Sequence, residues 1–339
     1  MAKIKTVVVT YNSEKDIIEC IESLLADKSI DLELTVVDNA STDLTKGLVK
    51  DRFPQVKIIE SGNNLGYVGN NLAITEPLPD FIAFVNPDTK SKAGWLGIIV
   101  KELERDSKIG ACQPKILLYD DPAKSNSQGN EANLLFFGWP EGYGKTYSPN
   151  DKIRKISYAS GCAAIYRGDC IAKLKGFDDS FFMYGDDVDL GCRLFLLGYD
   201  TMYVPDAVIY HKYRFKQSGA RYFLLERNRL RILLKIYRKR TLLAMLPIIL
   251  ACESGVILRS IREGWLKHKL LAYGSIARHL PDMLRKRKEV QEYRTRSDAE
   301  LIRILRGAIT FSPLECSAML KKGNKLLDKY REFLILMRI

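Results

Sequence analysis

The 339-residue chain lacks any close cysteine pairing: of its seven cysteines, the nearest two, Cys162 and Cys170, have seven residues between them. That spacing excludes CxxC zinc and dithiol motifs, and the odd number fits inert thiols in a reducing compartment. Histidine is scarce, with three residues, and there are only 12 prolines. With 46% hydrophobic and 28% charged residues, the composition is that of an ordered globular protein, not a disordered chain. No internal repeat or low-complexity tract occurs. The opening MAKIKTVVVTYNSEKD has no long apolar region or cleavage site, so no signal peptide is expected. Nor does any uncharged apolar run reach the ~20 residues a spanning helix needs. The strongest, Thr241 to Leu258, is interrupted by Pro247 and Glu253, leaving only Thr241 to Cys252 uncharged. Spanning is therefore not expected, while lying on a membrane surface stays open.

Charge is plentiful but unevenly distributed. Residues 1–220 carry 26 basic and 30 acidic side chains, whereas residues 221–339 carry 27 and 11. The net +12 thus divides into a mildly acidic half at −4 and a basic half at +16.

The first 110 residues alternate β-branched runs with amphipathic segments. KTVVVTYN, LELTVVDNAS, VKIIES and FIAFVNPDT read as strands. Helices are predicted over Ser13–Ala26, with Ser13 as N-cap, over Asp43–Phe53, from Gly66 to Thr75, and over Trp95–Asp106. This alternation implies parallel strands joined by right-handed crossovers in an open α/β sheet, whose ligands bind beyond the strands' carboxyl ends. Cys112 to Tyr158, rich in Gly, Asn, Pro and aromatics, breaks the pattern and reads as long loops or a hairpin above the sheet. Order returns with the strand YASGCAAIYR, a helix around Gly168–Lys175 and the strand TMYVPDAVIYH. Beyond Ala220 the chain becomes helical and basic.

Three strands end in polar clusters: Thr10-Tyr11-Asn12, Asp38-Asn39-Ala40-Ser41 and Asn86-Pro87-Asp88-Thr89. In an open sheet these converge on one rim and form a cleft. Asp38 can accept from the imide N–H of a pyrimidine base, or simply cap a helix. Asp88 stands where a carboxylate reaches a hard divalent cation, Mg2+ or Mn2+, whose other ligands a diphosphate supplies. Asp178, Asp179, Asp186, Asp187 and Asp189 surround the aromatic run Phe181-Phe182-Met183-Tyr184. Desolvation there would raise one carboxyl pKa and suit it to proton abstraction, although an acidic first helical turn is also favoured by the helix dipole alone. His211 ends the last strand as a metal ligand or a surface residue. Arg221, Arg227 and Arg229 open the basic region, able to neutralise a diphosphate or merely to begin that surface.

These segments, in this order, resemble a family 2 glycosyltransferase, on the inverting side that includes rhamnosyltransferases and other enzymes extending lipid-linked or surface glycans. The likeness runs through VVVTYNSEKDIIECIESL, VVDNASTD, NNLGYVGNNLAI, FVNPDT, ASGCAAIYR, FDDSFFMYGDDVDLGCRL, YH and RNRLRILLK, about the first 235 residues. It implies a GT-A fold: an α/β, Rossmann-like, mixed and mostly parallel sheet flanked by helices. Residues 1–220 would form the catalytic domain and 221–339 a basic helical, membrane-associating region. By the same resemblance, Asp38 would meet the nucleotide base, with Thr10, Tyr11, Asn12, Asn64, Asn70, Asn86 and Arg227 on the donor. Asp88 would be the acid of a DxD-like metal motif, His211 a further ligand, and Asp187 the general base beside Asp186. Two departures stand out: Asn86-Pro87-Asp88 replaces Asp-x-Asp, and Asp186-Asp187 replaces the usual Glu-Asp.

The implied reaction is transfer of a sugar from a nucleotide-diphospho-sugar to a glycan or polyprenyl-linked hydroxyl, with inversion, in surface polysaccharide or glycoprotein glycan assembly. A sugar nucleotidyltransferase would want a Gly-rich loop with a basic residue after the first strand, and TYNSEKD is not one. A catalytically degenerate relative serving as a membrane-bound partner subunit is the alternative. Arg238-Lys239-Arg240 and Arg285-Lys286-Arg287-Lys288 flank apolar helical segments without interleaved stacking aromatics, which favours an anionic membrane surface over nucleic acid. The expected location is cytoplasmic, peripheral on the inner face of the cell membrane.

Overall fold

The computed structural model describes residues 3–148, 150–213, 218–311 and 318–339. Cys316, among the seven cysteines, lies outside the described residues. The chain opens with β1 (Lys3–Thr10), α1 (Ile17–Leu25), β2 (Asp31–Asp38), α2 (Thr45–Arg52) and β3 (Lys57–Glu60). A 3-10 turn over Gly66–Ala73 leads to β4 (Phe81–Val85), β5 (Thr89–Ser91) and α3 (Trp95–Arg105). Next come β6 (Ile109–Leu118), β7 (Ser125–Ser127), β8 (Asn130–Ala132), β9 (Gly138–Pro140), β10 (Arg154–Ile156) and β11 (Ala163–Arg167). They are followed by α4 (Gly168–Lys173), α5 (Asp186–Leu196) and the long β12 (Asp200–His211). The remainder is helical: α6 (Gly219–Ile236), α7 (Lys239–Arg262), α8 (Leu266–Arg278), α9 (Leu280–Tyr293), α10 (Asp298–Ile304) and α11 (Ala318–Leu336).

The main sheet runs β10-β12-β6-β11-β4-β1-β2-β3. Pairs β1/β2, β1/β4, β2/β3 and β6/β12 are parallel, whereas β11 is antiparallel to both its neighbours. Because β11 reverses between two parallel sets, the carboxyl ends of β1, β2, β4 and β12 share one rim with the start of β11. β4, FIAFV, is buried at every position, as a central strand covered on both faces must be. One face of β1 and β4, with Ile4, Val8 and Ala83, packs on α1 and α3 through Ile17, Ile21, Leu96 and Ile99. The other, with Val7, Ile82 and Phe84, packs on Ile171, Phe177 and Leu190. The structure is the mixed, mostly parallel sheet flanked by helices that the family resemblance implies; the strand–helix alternation alone implies only its parallel strands.

Three local expectations need correction. Ser13 does not cap α1, which starts at Ile17 behind Asp16; the Ser13 carbonyl instead accepts from the N–H groups of Asp16 and Ile17 in a preceding turn. The 112–158 region is not wholly loop, since CQPKILL continues β6 at the centre of the sheet; its glycine- and aromatic-rich remainder forms the short strands β7 to β10. Pro247 does not interrupt the apolar segment, because α7 runs continuously through it for 24 residues. Pro247 is on the exposed side, where its missing N–H strands only one outward-facing carbonyl.

The helices join the sheet domain through a common core. Leu134, Phe136, Tyr158, Val188 and Phe195 pack with Ile232, Tyr237, Met245, Leu301 and Leu327.

Candidate active site

At the shared rim, strand ends are knitted together by loop hydrogen bonds. Asn12, in a left-handed conformation after β1, donates its N–H to Ser41 Oγ at 3.0 Å, and its Oδ1 accepts from the Thr42 N–H at 2.8 Å. Tyr11 remains exposed beside it. Asp38 closes β2 opposite Thr10, and its Oδ2 accepts from the Ser41 N–H at 3.1 Å. It caps no helix, because α2 starts only at Thr45. Asn64 is exposed and its Oδ1 accepts from the Gly66 N–H at 2.9 Å, shaping the 3-10 turn. Asn70 is buried under that turn, donating to the Tyr67 carbonyl at 2.8 Å.

Thr10 Oγ1, Asp38 Oδ1, Asn39 Oδ1 and Asn70 Oδ1 are buried at or behind this rim without a hydrogen-bond partner. A buried acceptor left unpaired costs about 1 to 3 kcal/mol, so a polar ligand or ordered water that reached them would be stabilised there.

Asp88 faces His211, with its Oδ1 3.3 Å from His211 Nε2. His211 Nδ1 is 3.0 Å from Asn126 Oδ1, an acceptor, which assigns the proton to Nδ1 and turns Nε2 toward Asp88. Burial disfavours the charged ring, but Cys162 and Asp88 beside it outweigh that and push its pKa well above the ordinary value. The two side chains face each other as an ion pair; once the ring gives up its Nε2 proton, a carboxylate oxygen and an imidazole nitrogen so placed suit Mn2+ or Mg2+. Among the described residues there is no group of three or more His, Cys, Asp or Glu side chains placed to hold an ion. The pair would therefore supply only part of a coordination sphere, the rest coming from ligand oxygens and water.

The five aspartates of the acidic segment separate into distinct environments. Asp178 and Asp189 are buried in an ion network: Lys235 of α6 lies 2.5 Å from Asp178 Oδ2 and 2.6 Å from Asp189 Oδ1, and Arg193 Nε donates to Asp189 Oδ2 at 2.7 Å. Burial would raise the Asp178 carboxyl, but Lys235 and Lys286 overcome it and drive its pKa well down. Asp179 is exposed and pairs with Lys286. Asp186 and Asp187 alone lack a cation and open α5. Burial pushes Asp187 up to about 6 against the opposing hydrogen bonds from the Gly161 and Val188 N–H groups. Asp186 is raised well above its ordinary value, by burial first and then by the adjacent Asp187 charge. Asp187 as a whole residue is half-buried.

Gly161 and Cys162, just before β11, connect the two chemical centres. The Gly161 N–H donates to Asp187 Oδ2 at 3.3 Å, while the Cys162 carbonyl accepts from the Asn86 N–H at 2.8 Å. Consecutive residues thus hold the Asp88 turn on one side and Asp187 on the other. The segment before α5 is also pinned from behind: Asn228 Nδ2 donates to the Met183 and Tyr184 carbonyls at 2.9 and 2.6 Å. Arg231 and Arg227 donate to the Ser180 carbonyl at 2.6 and 3.3 Å. Tyr184 and Gly185 are both left-handed, which swings the chain sharply into the helix. Gly66 approaches this loop so closely that a Cβ there would fall on the Phe182 carbonyl oxygen.

Of the residues singled out from sequence, Thr10, Tyr11, Asn12, Asp38, Asn86, Asp88 and His211 come together on the rim, with Asp187 linked to them through Gly161 and Asp186 next to it in the chain. Arg227 holds the acidic loop instead, and burial, then Arg231, lowers its pKa to about 10. Arg229 is buried between Glu226 and Glu253, away from the cleft. The roles of Asn126, Gly161 and Asn228 were not anticipated, Asn228 standing in the sequence only as a neighbour of the arginines; Gly161 and Asn228 act through or on backbone groups, which leave no residue-type signal.

The sheet order and the acidic, partner-poor rim define a GT-A-type glycosyltransferase domain. Residues 6–174 match Glycosyl transferase family 2, and the chain belongs to that family, with rhamnosyltransferase-like relatives. It is 28% identical to N-acetylglucosaminyl-diphospho-decaprenol L-rhamnosyltransferase of Mycobacterium tuberculosis over 232 residues, 61% of this chain and 75% of that protein. It is also 28% identical to rhamnosyltransferase WbbL of Escherichia coli, over 59% of this chain and 79% of that one. The mannosyltransferase PcManGT of Pyrobaculum calidifontis, solved with GDP-Man and Mn2+, superimposes with a TM-score of 0.51 at 17% identity, covering 98% of this chain and 86% of its own.

Proposed function

We propose that this glycosyltransferase moves a sugar, with inversion, from a nucleotide-diphospho-sugar to a hydroxyl of a lipid-linked acceptor in surface glycan assembly. The supporting observation is the coupling of Asp187 and the Asp88 turn through Gly161 and Cys162. It sets a carboxylate with a raised pKa beside a rim of unpartnered acceptors. The named activities of the two rhamnosyltransferase relatives support a polyprenyl-diphosphate acceptor and make rhamnose the first sugar to test. The acceptor's lipid and the basic helices together support work at the inner face of the cytoplasmic membrane.

In this reading Asp187 takes the proton from the acceptor hydroxyl as its oxygen bonds to the anomeric carbon. The bond from that carbon to the diphosphate oxygen breaks on the opposite face, and the nucleoside diphosphate leaves with the electron pair. Asp187 meets the requirement for a base poised near the working pH. Asp38 Oδ1 accepts from the base N–H, while Thr10, Asn12, Asn70 and Asn86 line the donor and Asn64 shapes its loop. Asp88 and His211 would hold Mg2+ or Mn2+, which neutralises the diphosphate's charge. Arg227 acts on the acceptor side, indirectly, by fixing the loop that carries Asp187.

The test is release of nucleoside diphosphate from a panel of UDP-, dTDP- and GDP-sugars with a short-chain polyprenyl-diphosphate acceptor, with and without Mn2+. Asp187→Asn is expected to lower turnover ~10²- to 10⁴-fold with donor affinity nearly unchanged, and Asp88→Asn to weaken Mn2+-dependent nucleotide binding. Full turnover by Asp187→Asn would remove the assignment.

A further inference from the structure

α7 is the one helix among the described residues long and apolar enough to cross a membrane, yet only 17% of its most apolar stretch is buried inside the protein. Its exposed positions follow a helical stripe: Leu243, Leu246, Leu250, Leu258 and Ile261, with Leu243 72% exposed. The next helix also exposes Leu270 and Leu271, both more than half exposed. An exposed apolar stripe of this extent marks an interaction site. Spanning would place the whole circumference of α7 in hydrocarbon, and the opposite face forbids this. Met245 and Ile248 are buried in the core shared with the sheet domain, and the Ala244 carbonyl accepts from Tyr330.

Glu253 settles the helix's orientation. This mid-helix acid turns inward, where it pairs with Arg229 of α6, receives Lys269 Nζ of α8 at 2.6 Å and accepts from Tyr273 at 2.5 Å. Burial alone would raise its pKa, but Arg229, Lys269 and Tyr273 hold it down at about 2. The residue that broke the apolar run in the sequence is thus hidden, leaving the outer face without an acid between Leu243 and Ile261. At the ends and along α8, Lys239, Arg240, Arg262, Lys267 and Arg278 are exposed. An apolar stripe with basic flanks matches a leaflet of anionic lipid.

We propose that the outer face of α7 and α8 lies in the plane of an anionic bilayer leaflet, as a one-sided anchor that does not cross it. The inference rests on the reading of a membrane-bound acceptor for its purpose, but not for its test. The full chain is floated with vesicles of phosphatidylcholine and phosphatidylglycerol at 1:1, and with phosphatidylcholine alone. Binding is expected to be at least tenfold stronger to the mixed vesicles. Leu246→Glu/Leu250→Glu, both at exposed positions, should lower it at least tenfold, with unchanged circular dichroism and unchanged nucleoside diphosphate release. Single cysteines at Arg240 and Arg262 should both react with an impermeant maleimide added outside sealed vesicles, relative to the parent's native thiols.

Failure of the parent to float, equal binding by the double variant, or protection of one end of α7 until detergent is added would each overturn the anchor. So would a dimer in solution that the double variant dissociates while its flotation is unaltered. Flotation that follows these rules without turnover of any donor would support the anchor and remove the proposed activity, so the two fail separately.

Discussion

At the scale of residues, the informative contrast is between adjacent carboxyls with different tasks. Both Asp186 and Asp187 are raised, mainly by burial. With Asp187 as the proposed base, turnover is expected to fall on the acid side of about pH 6 and to level above it. Stability runs the other way. A carboxyl whose folded pKa is raised binds its proton more tightly in the native state, so its contribution is complete at low pH and is lost as pH rises through the folded pKa. Asp186→Asn should therefore be more stable than the parent at pH 8, with the difference vanishing below about pH 4, near the ordinary carboxyl pKa. Because the same burial and the adjacent Asp187 charge favour the neutral form of Asp186, the amide should also keep most turnover. Thermal melts at the two pH values together with a pH–rate profile check both halves. Much of this rim was legible in sequence, because strand-end clusters announce themselves: Asn12, Asp38 and Asp88 each follow an apolar run. The division of labour among the five aspartates was not, since Lys235, which neutralises Asp178 and Asp189, lies 46 positions or more away in the chain.

At the scale of elements, α6 works as the backing plate of the acidic loop. Asn228, Arg227, Arg231 and Lys235 recur along it, and each fixes a carbonyl or carboxylate between Asp178 and Asp189. The Lys235 ammonium sits between two buried anions and over the Phe181 ring at 5.0 Å, so deleting it leaves Asp178 with Lys286 and Asp189 with Arg193 as their remaining cations. Lys235→Met is expected to cost about 3 to 5 kcal/mol of stability, and to reduce turnover by loosening the loop. Denaturant unfolding measures the first, and turnover with unaltered nucleotide affinity would trace the second to the acceptor side. RNRLRILLK reads from the sequence as a basic helix whose arginines meet a diphosphate or begin a basic surface, and neither reading turns them inward. Their inward direction depends on packing against the sheet domain, which residue spacing alone does not encode. The same limit applies to Pro247 and Glu253: each reads as an interruption along the sequence, yet in three dimensions one faces out and the other is paired within.

At the scale of the whole molecule, the opposed charges of the two halves do not make them independent. Phe136, Tyr158, Val188 and Phe195 on one side of residue 220 share a core with Ile232, Tyr237, Met245 and Leu301 on the other. The Asp178–Lys235–Asp189 bridge crosses the same boundary. A fragment of residues 1–220 would expose those aromatic and aliphatic side chains and leave Asp189 with Arg193 as its remaining cation. At roughly 1.5 to 3 kcal/mol for each large apolar side chain returned to water, four would cost as much as the ~5 to 15 kcal/mol that stabilises a typical domain. The fragment is therefore expected to be aggregated or loosely packed, binding anilinonaphthalene sulfonate and losing near-UV dichroism. The full chain should melt in one transition, with the sheet domain and helices unfolding together. Two separate transitions, or a soluble fragment with native-like near-UV dichroism, would mean that the catalytic site needs no backing from the basic helices.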